Sequence, residues 1–497
     1  MPLETARRIL RNEKDSIYLY SVLTLVFLAI GVVMGLPGAD GDATSTYNVI
    51  IKLAEEQRYT LSRRPGQPVL DYLDFITWRG GGDIGVQLWF ALVSAAGTTA
   101  LYQFLRSAKA AAPLLGALAV GLHPLFLAHV GGLGDFAVSL SFLMLALRAG
   151  QLGFPSLAGV LVGMCSGCRM PYLIFAIPVA ALAQTGPGVW QRRLRTFLWA
   201  GVVGVLAYAP LLASWGLGLM PNFPMKDLGY NVSAFFFRLL ISFGVPFWLL
   251  VGLLMLAVLR RSAPRGFKPT QTDLAAGLLV ALGVLILFRV PTKPELSLPI
   301  LLGITIFLTV RRGKIVSLGL LACTVLSGVV LLSPYYRDSG RHRWHLEEGH
   351  YFKAIEQASD NRLMARTVPQ ALNRLPEGAV LLETVQWTAL QARVAQIQKV
   401  DDFDGIPDLT GFRFGAVSGN RFLVSFQEEK LKDLLERRRA VPRGGVYYDS
   451  RLGGMLRRWM SIEISQYARP VVMGGQPLHE LLSVAGLSSA KAIAGRD

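Results

Sequence analysis

Carboxylates and arginines lie close together in the sequence between residues 38 and 75. Asp40 and Asp42 follow the first long apolar segment within a few residues, and Arg63 and Arg64 precede a Pro-Gly turn in the sequence SRRPGQP. Carboxylates so close to hydrocarbon are costly unless they are hydrated or paired, and a guanidinium group can bind phosphate oxygens bidentately. The acids and arginines therefore indicate a functional site beside the membrane, with phosphate as a candidate ligand of the arginines. The simpler alternatives are an ordinary polar loop and arginines that contact lipid headgroups.

Two other segments carry charged side chains at the ends of apolar runs. The sequence GGLGDF places Asp135 at the start of one run, after His123 and His129 in the preceding run. The sequence RVPTKPELSLP brings Lys293 and Glu295 to the junction of two more. The simpler interpretation of the histidines is that they are packed or hydrogen-bonded. The simpler interpretation of Lys293 is that its side chain extends to the membrane surface. Together these acids and cations suit a substrate with a lipid tail and a phosphate head.

The composition indicates that membrane helices must position these residues. Hydrophobic residues make up 52% of the 497 residues, charged residues make up 17%, and the mean hydropathy is +0.42. Apolar segments close to the ~20 residues that cross a bilayer recur from Ile17 to Ser333. The eleven predicted spans are residues 17–36, 86–105, 111–130, 135–147, 155–168, 170–183, 197–216, 234–259, 272–289, 296–310 and 315–333. We therefore expect an α-helical polytopic membrane protein. The first segment is predicted to be a retained helix because its apolar core is longer than that of a signal peptide.

The charge distribution predicts the orientation of these spans. A net charge of +17 could indicate a nucleic-acid partner, but the basic residues are spread through short connections between apolar segments. Membrane topology explains that distribution better, because cytoplasmic loops are enriched in Lys and Arg. If the N-terminus is cytoplasmic, every cytoplasmic connection carries basic charge. The long loop 37–85 and the C-terminal region 334–497 then lie outside the cytoplasm.

Local patterns refine this arrangement. Apolar residues spaced between Tyr47 and Gln57 predict a short helix on the membrane surface within the outer loop. The segment 155–183 is predicted to form two short helices that meet near Arg169, because one long helix would place the arginines of 191–195 outside. Glycines at four-residue spacing in the first of these helices predict close approach of a neighbouring helix: Gly159, Gly163 and Gly167.

The C-terminal region is more polar than the apolar segments that precede it. Residues 334–497 are predicted to form a small extracytoplasmic α/β domain, separate from the transmembrane domain of residues 1–333. The run GAVLLE at 378–383 predicts a strand, and a helical pattern begins near Trp387. The sequence DDFDGIPD at 401–408 lacks the order of acids and the closing Glu of an EF-hand, so it is interpreted as a solvated loop.

Several of these motifs occur together in one known family. The chain resembles the GT-C superfamily of polytopic glycosyltransferases, which includes the protein O-mannosyltransferases and the lipid A aminoarabinose transferases. The resemblance covers about residues 15–335 and depends on the order of its motifs: the outer-loop sequence GADGDATSTYNVIIKLAEEQ, the turn RRPGQP, the helix DFAVSLSF from Asp135, the helix AGVLVGMCSGCR, and the element from Lys293 to Pro299. The Asp-Glu pair usual in those two subgroups is absent, because Ala43 follows Asp42, and this weakens assignment to either subgroup.

The resemblance implies an enzyme that takes a sugar from a polyprenyl-phosphate carrier and transfers it to an acceptor hydroxyl outside the cytoplasm. Carried over by position, Asp42 would be the general base, with Asp40 as the alternative. Asp135 would orient the acceptor or help to hold a divalent cation, to which Asp42 would be the other candidate ligand; no cofactor is otherwise implied. The departing lipid phosphate would be bound by cations and one neighbouring acid: Arg63, Arg64, Lys293 and Glu295.

The expected partners are therefore a polyprenyl-phosphate sugar, an acceptor that is a lipid, a glycan or a protein, and the membrane lipids themselves. Nucleic acid is not expected. The size of the chain and the lack of other targeting signals favour a bacterial cytoplasmic membrane and a role in the cell envelope. A transporter or flippase of a lipid-linked substrate is the alternative, and a scaffold protein is a third class. The enzyme interpretation requires that Asp42, Asp135 and the two arginines converge on one cavity.

Overall fold

The structure is a computed structural model, and it describes the helical part of the chain most fully. The described residues are 3–36, 38, 41–57, 59, 66–183, 186–216, 228–262, 269–291, 293–336, 342–356, 358–359, 374–383, 398–402, 413–418, 421–425, 446–449, 468–473 and 476–481. The α-helices are α1 (Leu3–Met34), α2 (Gly41–Glu56), α3 (Pro68–Ser107), α4 (Pro113–Gly121), α5 (Pro124–Val130), α6 (Asp135–Gln151), α7 (Pro155–Cys168), α8 (Ala176–Ala181), α9 (Val189–Trp215), α10 (Leu228–Ser262), α11 (Gln271–Arg289), α12 (Leu298–Arg311) and α13 (Lys314–Val329). Two 3₁₀ helices, Met170–Phe175 and Pro294–Ser297, precede α8 and α12.

The apolar helices make this chain a multi-pass membrane protein. Six of the described helices are long and apolar enough to cross a membrane, and the number rises to seven if the bent pair α4 and α5 is one span. Many large apolar side chains on these helices are exposed, such as Leu25 on α1 and Leu206 on α9. Lipid would cover such a surface. Shorter apolar helices occur at α7, at α8 with its preceding 3₁₀ turn, and at α13. The expectation of eleven spans is therefore not confirmed by the described helices.

The sequence analysis did not predict a helix directly before the second span. The sequence placed residues 68–85 in the outer loop and began the span at 86, but α3 begins at Pro68. Proline at the first helical position is favourable because its missing N–H would have no helical partner there. Gly82 then adopts a positive φ of 59°, which kinks the helix between a polar first part and an apolar second part. A helix therefore carries the residues that directly follow the RRPGQP turn.

Two further segments contain breaks in their helices. The predicted span 111–130 is divided into α4 and α5, which meet at an angle of 61°. Pro124 removes a backbone donor at this break, and Nδ1 of His123 accepts from the N–H of Leu125 at 3.3 Å. The prediction of two short helices that meet near Arg169 is confirmed, because α7 ends at Cys168 and a 3₁₀ turn follows.

Close packing between α7 and α9 confirms the interpretation of the glycine spacing. A Cβ atom added at Gly159 would lie 2.5 Å from the carbonyl oxygen of Thr196, and one at Gly163 would lie 2.5 Å from Cβ of Val203. The two backbones therefore approach closely because these positions lack side chains.

We expect Gly163→Leu to destabilise the protein by about 1–3 kcal/mol, because the new side chain would force α7 and α9 apart. Thermal unfolding in detergent measures the effect. Gly201→Leu is the matched control, since a Cβ at this α9 position has no atom within 4 Å. Equal stability of the two variants would contradict the packing account.

The described residues after α13 are mainly strands. Strands β1 (Val330–Tyr336) and β2 (His342–Glu348) form a two-stranded sheet. A seven-stranded sheet has the order β4-β5-β6-β3-β7-β9-β8, with β3 parallel to β6 and β7 and the other neighbours antiparallel. Its strands are β3 (Val380–Glu383), β4 (Gln398–Asp402), β5 (Arg413–Ser418), β6 (Arg421–Ser425), β7 (Val446–Asp449), β8 (Ala468–Met473) and β9 (Gln476–Leu481).

The chain divides into two compact units. One contains Met1–Tyr335 and Arg343–Ser359, and the other contains Tyr336–His342 and Asp360–Asp497. The strand predicted at 378–383 is confirmed as β3. The helical pattern predicted near Trp387 and residues 403–408 of the predicted loop lie outside the described residues. The extracytoplasmic location of this region stays a prediction.

Candidate functional site

A buried ion pair lies where α6 begins and α7 ends. Asp135 is the first residue of α6, and its Oδ2 accepts a hydrogen bond from Nη1 of Arg169, which follows α7 directly. The side chains are 2% and 11% exposed, so water screens the pair little. The guanidinium Cζ also lies 3.6 Å from the centre of the Phe136 ring. The helix N-terminus further favours a negative charge at Asp135.

A pair formed by a glutamate and a histidine lies beside the first pair. Oε1 of Glu295, in the 3₁₀ helix before α12, is 3.7 Å from Nε2 of His129 on α5. The imidazole ring of His129 lies 5.0 Å from the Phe136 ring, the same ring that Arg169 covers. His129 is therefore hydrogen-bonded to a site candidate and packed against Phe136, which agrees with the packing or hydrogen bonding that the sequence favoured for the histidines.

These contacts bring several predicted residues into one cluster. The hydroxyl of Tyr172 is close enough to Arg169, Asp135 and Glu295 to interact electrostatically with all three. Lys293 interacts in the same way with Glu295, two residues further along the chain. Asp135, Lys293 and Glu295 are thus placed together, although they come from distant parts of the sequence.

Two aspartates that the sequence interpretation missed lie at the start of α3. Asp71 and Asp74 are fully buried and stand three residues apart on one face of the helix. Within the described part of the chain, neither carboxylate oxygen of Asp74 has a hydrogen-bond partner. Cys168 interacts electrostatically with Asp135, Asp74 and Asp71, which joins these aspartates to the cluster. Their spacing directly after RRPGQP was the signal that could have identified them.

Tyr59, which precedes α3 in the sequence, forms a hydrogen bond with one of these aspartates. Its hydroxyl donates to Oδ2 of Asp71 at 2.6 Å, and its ring stacks on Tyr72 with centroids 5.4 Å apart. Burial, and then the neighbouring Asp71 charge, raise the pKa of Tyr59 well above its usual value. The phenol therefore stays protonated and remains a hydrogen-bond donor. This contact places Tyr59 beside the cluster.

The segment that leads to Asp42 approaches the same cluster. A Cβ atom at Gly38, where φ is 101°, would lie 2.5 Å from Cα of Gly132. Gly132 belongs to the loop that ends at Asp135, so the backbone before α2 runs against that loop. Asp42 is the second residue of α2.

Helix α2 itself largely matches the prediction for Tyr47–Gln57. It extends from Gly41 to Glu56, and its apolar residues Val49, Ile50 and Leu53 are buried. The Tyr47 hydroxyl donates to Oδ1 of Asp83 at 2.9 Å, which fastens α2 to α3. The position of α2 on a membrane surface stays a prediction.

Some predicted residues cannot be placed. Asp40, Arg63 and Arg64 lie outside the described residues, and the side chain of Asp42 does too. The described residues contain no group of three His, Cys, Asp or Glu side chains arranged to hold a metal ion. Asp135 faces a guanidinium, so the described part of the cluster offers an ion pair where the sequence suggested a cation ligand.

Among the comparisons with known proteins, the comparison with solved structures found similar chains. No protein-family model and no curated protein matches the chain. ArnT from Cupriavidus metallidurans bound to undecaprenyl phosphate is similar with a TM-score of 0.46 and 13% identity, over 95% of this chain and 98% of that one. An Archaeoglobus fulgidus oligosaccharyltransferase tethered with an acceptor peptide is similar with a TM-score of 0.41 and 12% identity, over 76% of this chain and 63% of that one.

Proposed function

We propose that this protein is a membrane glycosyltransferase that moves a sugar from a polyprenyl-phosphate donor to an acceptor hydroxyl on the outer face of the membrane. The observation that supports this most strongly is the charged cluster around Asp135, Arg169 and Glu295. Its members lie at the ends of apolar helices, beside the segment that leads to Asp42. A site of this kind can meet a lipid-anchored phosphate from the bilayer and an acceptor from water.

A transporter or flippase is not favoured by the same observation. Transporters typically bind their substrate near the bilayer midplane, in helices that are interrupted there. The clustered groups of this protein instead lie at helix ends: Asp135 begins α6, Arg169 follows α7, and Asp71 lies in the first turn of α3. This placement suits chemistry at the membrane surface better than passage through it.

In the proposed reaction, Asp42 removes the proton of the acceptor hydroxyl as that oxygen attacks the anomeric carbon. The bond between the sugar and the phosphate oxygen breaks, and the electron pair leaves with the polyprenyl phosphate. Asp40 is the alternative base. Asp135 holds Arg169 through their ion pair, so we assign Asp135 a positioning role. A divalent cation at Asp42 and Asp135 is not needed for these steps.

The cations of the site would stabilise the charge that develops on the departing phosphate. Arg63 and Arg64 in the turn before α3 are the principal candidates, and Lys293, next to Glu295, is the third. Tyr59, four residues before Arg63 in the sequence, donates a hydrogen bond to Asp71 of the cluster, and this contact supports the assignment of the two arginines. The proposed setting is a bacterial cytoplasmic membrane, with a lipid, glycan or protein acceptor in the envelope.

We expect Arg63→Ala/Arg64→Ala to weaken binding of a polyprenyl-phosphate sugar by more than tenfold, because charge-assisted bonds to phosphate are lost. Binding is measured with purified protein and a fluorescent donor analogue. The control is Arg79→Ala, which removes an exposed arginine from α3 outside the turn. Donor affinity equal to that of the control would remove the two arginines from the proposed site.

A further inference from the structure

A separate basic cavity lies at the opposite ends of the helices that form the cluster. It has a volume of about 430 Å³ and lies between the α6–α7 turn and the start of α9. Asp135 begins α6, whereas the cavity follows the last residue of that helix. Seventeen residues at about 1.5 Å each separate the two ends by roughly 25 Å. The cavity is therefore distinct from the site proposed for sugar transfer.

Two arginines give the cavity its charge. Nη1 of Arg192 donates to the carbonyl oxygen of Pro187 at 3.1 Å, which holds the guanidinium against the turn before α9. Arg195 lies three residues later on the same side of α9 and also lines the cavity. Pro155 at the start of α7 forms part of the opposite wall. No acidic residue is among the described residues that line the cavity, so it favours an anion.

The surroundings of the cavity are apolar and open to the exterior. Leu152, Phe154 and Leu157 on one side are 49%, 56% and 51% exposed, and Trp190 and Leu194 on the other are 74% and 67% exposed. Exposed apolar side chains beside the cavity would not contribute to binding of a small water-soluble anion. A cationic cavity between exposed apolar and aromatic side chains fits a molecule with an anionic head and hydrocarbon tails.

We infer that this cavity binds the phosphate headgroup of an anionic phospholipid. The two guanidinium groups contact the phosphate, and the exposed apolar side chains contact the acyl chains. In the predicted topology the cavity faces the cytoplasm, where anionic lipids attract basic segments of membrane proteins. The inference does not depend on the proposed transferase function, because the cavity lies away from the charged cluster.

The test uses the full-length protein purified in a neutral detergent. Dioctanoyl phosphatidylglycerol is titrated and the bound species are counted by native mass spectrometry. Arg195→Gln is expected to weaken lipid binding about fivefold, and Arg192→Gln/Arg195→Gln about 30-fold, from the contribution of each basic residue near anionic lipid. Arg193→Gln is the matched control. It removes the same charge from the same helix, but Arg193 stacks on Trp190 at 5.0 Å and does not line the cavity.

Three results would overturn the inference. One is the absence of saturable lipid binding by the unmodified protein, and another is an equal loss in the Arg193→Gln control. The third is binding of inorganic phosphate as tight as that of the lipid, which would make the site one for a soluble anion. If the double variant fails to fold, Arg195→Gln decides, because it leaves the bond between Arg192 and Pro187 intact.

Discussion

Replacing Asp42 with asparagine lowers the rate of sugar transfer by about 10²–10⁴-fold, the usual contribution of a positioned general base. Asparagine is nearly the same size as aspartate but does not accept a proton at neutral pH. The acceptor hydroxyl would then have to attack without losing its proton to the protein. The rate is measured with purified protein, a saturating concentration of polyprenyl-phosphate sugar and an excess of acceptor, so that substrate binding does not limit the result.

The companion variant Asp40→Asn separates the two acids. Turnover close to that of the unmodified protein is expected for it, since the proposed function assigns the general base to Asp42. Donor affinity should be retained in both variants, because neither acid is assigned to the phosphate. If Asp42→Asn turns over normally and Asp40→Asn does not, the base is Asp40. If both remain active, the outer-loop acids are not catalytic.

Replacing Arg169 with alanine destabilises the protein by about 3–5 kcal/mol. The substitution leaves Asp135 buried without its guanidinium partner, and removal of one partner from a buried ion pair has a cost of this size. The variant also removes the guanidinium that stacks on Phe136. Unfolding in detergent, followed by intrinsic fluorescence with heat or denaturant, gives the change in stability.

Two controls establish that the buried charge is the cause. Arg169→Ala/Asp135→Asn is expected to recover a large part of the loss, because the carboxylate charge that lost its guanidinium partner is removed as well. Arg106→Ala removes a pair with Asp15 whose side chains are 36% and 53% exposed, and a change below about 1 kcal/mol is expected there. Equal losses in the single and double Arg169 variants would show that packing, and not charge, sets the stability.

The sequence was most informative where one signal dominated. Apolar length identified a membrane protein, the spacing of Gly159 and Gly163 predicted a close helix contact, and the run GAVLLE predicted β3. The outer helix was also found, because its apolar residues recur with helical period. In each case the pattern lies within one short segment of the sequence. It can therefore be interpreted with little knowledge of the contacts between distant segments.

The sequence was less informative where distant segments decide the structure. The start of α3 was missed because residues 68–81 are too polar for a hydropathy criterion, although Pro68 favours a helix start. Asp71 and Asp74 were overlooked for the same reason. The partners of Asp135 and Glu295 could not be predicted either, since Arg169 and His129 reach them through the packing of α5, α6 and α7. Such pairs depend on geometry between elements.

The central claim is that the bond between sugar and lipid phosphate is broken, and one measurement tests it directly. The purified protein is incubated in lipid nanodiscs with a panel of radiolabelled polyprenyl-phosphate sugars and an envelope extract as acceptor. The free polyprenyl phosphate and the labelled acceptor are then quantified. The account predicts that both appear in equal amounts with at least one donor, and that Asp42→Asn lowers the rate of formation of both by about 10²–10⁴-fold. Donors that all remain intact, with no free polyprenyl phosphate and no labelled acceptor formed, would contradict it.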